Sequence, residues 1–152
     1  YQTKWLRENA LAFEEGLLHE DNLFTVQALL KADTVLVTPT LLYRYIRRPE
    51  SITTSEGDDR LLARIKSYAR IASSLSAIAN QDPSFDLRWK IQEVIDGAQR
   101  LGTQCSTRRG QLIALHALLK FMLLYRGYGR HALQLQQWAR VLRYMRYLAI
   151  HR

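Results

Sequence analysis

The sequence predicts a mainly α-helical chain: a short α/β segment over residues 1–55, then a four-helix, bundle-like region over 56–152. Three observations predict it. Apolar residues recur at helical spacing in long runs after Asp58. One β-branched run, Thr34-Val35-Leu36-Val37-Thr38, stands near the start. A polar stretch, Ser51-Ile52-Thr53-Thr54-Ser55, closing in Glu56-Gly57, separates the two.

In order, Tyr1 to Asn9 reads as a short helix with Trp5 and Leu6 on one side. Gly16 marks a turn. Asp21 stands at the start of a helical run, Asn22 to Ala32, where a carboxylate meets backbone N–H groups and the positive end of the dipole. Phe24, Ala28, Leu29 and Ala32 give that run its apolar face, widened by Leu23, Val26 and Leu30. Thr34 to Thr40 reads as a strand that Pro39 stops or confines to an edge. Leu41 to Ile46 continues in extended style, and Pro49 keeps Arg48 out of the α region.

After the boundary, Asp58 and Asp59 open a long helix with the stripe Leu61, Ile65, Tyr68, Ala72, Leu75 and Ala79. Asn80 to Ser84 is a loop. Leu87, Ile91, Val94, Ala98 and Leu101 form the next stripe, which Gly102 is expected to end. Ser106 or Thr107 caps the third helix. Leu112 to Tyr125 is apolar nearly all round and reads as the central buried helix, with His116 a core histidine. It is too short for a membrane span, which needs about 20 residues. Gly127-Tyr128-Gly129 is a turn, and a last helix runs from about His131 to Ile150. Leu135, Trp138, Leu142, Met145 and Ala149 share one face of it.

At 152 residues the chain can bury a core without staples. Its single cysteine, Cys105, makes an internal disulfide framework impossible and reads as a free structural thiol. The chain opens on Tyr1 rather than Met, as expected of a piece of a longer or processed protein. Charge is unevenly placed. Residues 1–96 carry 12 Lys/Arg and all 14 Asp/Glu, whereas 97–152 carry 10 Lys/Arg and no acid. Such asymmetry points to a polyanionic partner or to a solvated basic face.

The candidate chemistry lies in Leu18-His19-Glu20-Asp21. An acidic pair at a turn can act as a general base beside a reacting hydroxyl, ligate a hard cation, or merely cap a helix. The surroundings narrow the choice. Phe13-Glu14-Glu15-Gly16-Leu17-Leu18-His19-Glu20-Asp21-Asn22-Leu23-Phe24 resembles the acceptor-side segment of family 2 glycosyltransferases of the GT-A fold. Leu29-Leu30-Lys31-Ala32, Val35 to Val37, Leu42-Tyr43-Arg44-Tyr45-Ile46-Arg47-Arg48 and Ser51-Ile52-Thr53 follow in the family's order. Trp5-Leu6-Arg7-Glu8-Asn9 resembles the helix that precedes the segment. The likeness covers roughly residues 1–55.

The resemblance implies a remnant of a GT-A domain in an inverting, hexosyltransferase-type enzyme of bacterial surface polysaccharide or glycoconjugate synthesis. It implies that Asp21 is the catalytic base, with Glu20 shaping the site. Arg44, Arg47, Arg48 and Ser51 become candidates for substrate binding. The implied partners are a nucleotide-diphosphate sugar and a glycan or lipid-linked acceptor. The implied cofactor is Mg²⁺ or Mn²⁺, held mainly outside this chain, because no Asp-x-Asp occurs in it. The nucleotide-binding half is absent too, so this piece alone is expected to be inactive. A sheet needs neighbours, and two short strands do not make one independently. The implied location is cytoplasmic or peripheral at the inner face of the cell membrane.

The helical region admits another reading, a non-catalytic basic module. Arg140, Arg143 and Arg146 with Trp138, Tyr144 and Tyr147 suit an anionic membrane surface, or phosphates and bases of nucleic acid. Nucleic acid ranks last. A plain helical extension that closes over the acceptor side explains the same residues.

Overall fold

A computed structural model describes residues 1–44, 46, 57–124 and 145–146. Among these the chain is helical, with five helices and no strand. It divides into two compact units, Tyr1–Glu56 and Gly57–Arg152.

The first unit holds α1 (Thr3–Glu8) and α2 (Asp21–Lys31). α1 ends in a paired-hydrogen-bond stop. The Ala10 N–H donates to the Arg7 carbonyl at 3.1 Å, and the Leu11 N–H reaches back to the Leu6 carbonyl at 2.8 Å. This is the Schellman pattern, and it places Ala10 in the left-handed region at φ 50°. Leu11 is thereby turned into the core, where it joins Phe24 and Ala28, with Trp5 and Leu6 packed alongside. The Phe24 ring meets Tyr1 edge-on at 5.6 Å and Phe13 at 4.3 Å between centroids. Leu23, Phe24, Val26 and Ala28 form the buried face of α2, whereas Leu29, also expected on it, is about half exposed. The Lys31 ammonium donates to the Asn9 carbonyl at 2.6 Å, tying the end of α2 to the end of α1.

The expected strand over Thr34 to Thr40 does not form. Val35, Leu36 and Val37 are exposed, and so are Leu41 and Leu42. β-propensity describes how a side chain fits a pleated, half-buried surface, and no ladder partner is present among the described residues to supply one. Tyr45 and residues 47–56 lie outside the described residues, so the polar loop there is not described.

The second unit packs α3 (Asp58–Gln81), α4 (Arg88–Gln104) and α5 (Arg108–Leu124), each against the other two. Five of the six residues of the α3 stripe are buried, and Tyr68 is half-buried. Ser67, Ile71 and Ser76 are buried as well, because α3 faces two neighbours and needs a wider face than one seam. The Ser76 hydroxyl is satisfied by donating to the Ala72 carbonyl at 2.8 Å. All five residues of the α4 stripe are buried. Ile65, Ile71, Leu75 and Ile91 are fully enclosed, each stabilising by about 1.5–3 kcal/mol through burial.

Two boundaries and one burial pattern differ from expectation. α3 runs on to Gln81 before Asp82 stops it by accepting the Ser84 N–H and hydroxyl at 3.0 and 2.6 Å. Gly102 does not end α4, which continues to Gln104. Nor is α5 buried all round. Ala114 is enclosed, but Leu112 and His116 face solvent, so His116 is not a core histidine. An apolar run alone does not say which side of a helix the neighbours cover. Of the expected last helix, Met145 and Arg146 are helical and exposed, and the rest lies outside the described residues with the Gly127-Tyr128-Gly129 turn.

Candidate functional site

Glu20 and Asp21 sit where a tight turn becomes α2. The turn is bent by His19, a non-glycine residue at φ 61°. Its carbonyl accepts the Asn22 N–H at 3.1 Å, and the Asn22 side-chain amide lies at 3.4 Å from the same oxygen. Glu20 occupies the cap position with helical backbone and makes no side-chain capping bond, while its carbonyl starts the helix by accepting the Phe24 N–H at 3.0 Å. Asp21 is the first helical residue and the acid of the first turn. Its carboxylate is exposed, and Oδ1 accepts a long bond from Asn22 Nδ2 at 3.3 Å.

This arrangement has definite chemical capacity. The carboxylate stands outside the packed core while the helix behind it is anchored by Leu23 and Phe24. Negative charge there is favoured by the helix dipole. An exposed carboxylate on the first turn of a helix can accept a proton from a hydroxyl brought to within about 3 Å.

The other predicted site residues are not gathered around it by anything described. Arg44 is exposed on irregular chain. Arg47, Arg48 and Ser51 lie outside the described residues. A groove of about 610 Å³ in the same unit is lined by Tyr1, Trp5, Leu29, Asp33, Val35 and Leu36, among others. It lies toward the opposite end of α2. Ala28, which also lines it, is seven residues beyond Asp21, roughly 10 Å along the axis at 1.5 Å per residue. The groove and the acidic pair are separate features. Sequence reasoning did not anticipate the groove, and the only trace of it was the aromatic pair Tyr1 and Trp5, which stack at 6.1 Å with planes 7° apart.

Among the described residues, no group of three or more His, Cys, Asp or Glu side chains lies close enough to hold a metal ion. The sequence contains no Asp-x-Asp. No described helix is long and apolar enough to cross a membrane.

In the second unit Asp58 is a structural acid. Asp58 accepts hydrogen bonds from the Thr107 hydroxyl, from the Ser106 and Thr107 N–H groups at 2.8 Å each, and from the Ser106 hydroxyl at 3.0 Å. The Thr107 hydroxyl and then the two N–H groups hold its carboxyl down at about 2. It fills the N-terminal end of α5 that would otherwise attract an anion.

Compared with known proteins, the chain matches no protein-family model, no curated protein and no solved structure.

Proposed function

We propose that this chain is the acceptor-side, C-terminal portion of a family 2 inverting glycosyltransferase, in which Asp21 is the general base. One observation carries the reading. The series from Phe13-Glu14-Glu15-Gly16 through His19-Glu20-Asp21 to Tyr43-Arg44-Tyr45 and Arg48 to Ile52 follows the family's order and spacing. The exposed position of Asp21 on the first turn of α2 is compatible with the role.

In the proposed reaction the acceptor O–H gives its proton to the Asp21 carboxylate as its oxygen bonds to the anomeric carbon of the donor. The bond from that carbon to the nucleotide diphosphate breaks on the opposite face, which inverts the centre. Glu20 shapes the acceptor site. Arg44, Arg47, Arg48 and Ser51 are proposed to bind substrate, the arginines offsetting charge on the departing diphosphate. Donor and any divalent cation are held by the part of the longer protein that precedes this segment. Basic residues after Gly97 give that protein a peripheral contact with anionic membrane at its cytoplasmic face.

The test is Asp21→Asn in the longer enzyme. Transfer falls by two to four orders of magnitude, the usual worth of a general base, while donor binding by calorimetry is kept. Unchanged turnover sinks the assignment.

A further inference from the structure

The segment that failed to become a strand has a property of its own. Thr34-Val35-Leu36-Val37-Thr38 reads the same in both directions. Laid antiparallel on a second copy with the two-fold axis at Leu36, it sets Thr34 opposite Thr38, Val35 opposite Val37 and Leu36 opposite Leu36. A two-fold interface requires a patch that is complementary to itself, and this segment is.

The structure leaves the segment available. Leu36 is 89% exposed and Val37 86%. Among the described residues, the main chain of Thr34 to Thr38 makes no hydrogen bond. The local contacts are those of the Thr38 hydroxyl with the Thr40 N–H at 3.2 Å and the Thr40 hydroxyl at 2.9 Å, and they leave the Thr38 backbone free.

Pro39 fixes the register further. It has no N–H, so its pair with Asp33 must be a non-hydrogen-bonded one. Pair types alternate along an antiparallel ladder, so the Val35–Val37 pairs are also non-bonded, with their Cα atoms about 4.5 Å apart and their side chains in closest contact. The Leu36–Leu36 and Thr34–Thr38 pairs then carry the main-chain hydrogen bonds. Thr–Thr and Val–Val are favourable cross-strand pairs, and no charged residue falls between Thr34 and Thr38.

A two-stranded ribbon alone is marginal in water, and packing against a helix makes up the difference. That helix is present. Leu29 of α2 is about half exposed and lines the same groove as Val35 and Leu36. Each strand of the pair therefore has its own α2 beside it.

We infer that Thr34–Thr38 is a self-pairing strand through which two copies of this chain associate as a symmetric antiparallel dimer centred on Leu36.

Sedimentation equilibrium of the 152-residue chain tests it, with a 17.7 kDa monomer as reference. The expected result is a mass that rises toward twofold with concentration. Leu36→Lys places two like charges together on the axis and returns the mass to that of the monomer, with helical circular dichroism unchanged because Leu36 makes no core contact. A second variant guards against misfolding. Leu36→Cys places two sulfurs on the axis, with Cα atoms about 5.5 Å apart, within disulfide range. It should oxidise to a covalent dimer several-fold faster than Leu41→Cys, an equally exposed position off the axis. A monomer at every concentration overturns the proposal. So does a dimer that Leu36→Lys leaves intact, or equal crosslinking at the two cysteine positions.

Discussion

The Asp58 carboxylate, in the first turn of α3, accepts the Thr107 N–H at 2.8 Å across 49 residues of sequence, joining the start of α3 to the start of α5. The Thr107 hydroxyl and the Ser106 and Thr107 N–H groups lower its pKa from the ordinary 3.8 to about 2. Because the folded value is the depressed one, the bracket contributes fully above 3.8 and is lost as pH falls through about 2. Wild-type chain should therefore lose denaturant resistance across that window more steeply than Asp58→Asn. Urea titrations followed by circular dichroism check this. Parallel pH profiles would remove Asp58 from the account.

Thr107 has a second role in the same corner. Its hydroxyl oxygen accepts the Gly110 N–H at 3.1 Å, satisfying an otherwise orphaned donor in the first turn of α5. Thr107→Ala should cost about 1 kcal/mol for the cap alone. Thr107→Ser, which keeps the hydroxyl, should recover most of it. Equal losses in the two variants would place the effect in the methyl group.

Gly97 is a notch for Tyr68. A Cβ built there meets the Tyr68 ring at 3.2 and 3.3 Å. A helix-interior glycine normally costs about 1 kcal/mol against alanine, so its presence is offset by close approach of the ring. Gly97→Leu should destabilise by about 1–3 kcal/mol through overpacking, and Tyr68→Ala in the same chain should restore part of that. A Gly97→Leu chain as stable as wild type would show that the ring moves aside freely.

Cys105 closes α4. It is 3% exposed, with Sγ 3.7 Å from the Leu101 carbonyl. Burial first, and the nearby Asp58 charge second, raise the thiol pKa. Alkylation of folded protein near pH 8 should be much slower than for the urea-unfolded chain, by at least tenfold on the order expected for a shielded thiol. Comparable rates would mean that the corner around Ser106 and Thr107 opens freely.

How much of this was legible varies with the physics at each place. The α3 and α4 stripes were, because a period near 3.6 records burial directly and Leu61, Ile65, Ile91 and Val94 could face only inward. Thr107 as a cap was legible from residue type and place. The spacing marks Tyr68 only as a member of a stripe and does not show its fit onto Gly97, since a notch belongs to two helices at once. The strand over Thr34 to Thr40 was misread because a strand is a property of a pair. His116 was misplaced because an apolar run does not reveal which neighbours arrive. At the candidate site, the position of Asp21 at the head of α2 was readable from the polar-to-apolar change. The left-handed His19 just before it was not, since nothing in the residue type announces it.

Ala10 carries a different kind of information. It holds the left-handed bend after α1 where glycine is the usual occupant, and an L-residue with a Cβ costs roughly 1–2 kcal/mol there. The sequence has therefore not been driven to the most stable form of this corner. Mutation and drift leave such residues in place wherever the remaining margin keeps the fold above its working threshold. The paired hydrogen bonds of Ala10 and Leu11, with Leu11 seated against Phe24 and Ala28, supply that margin locally. The bend is thus a record of tolerance, and a position where the chain has room to be improved.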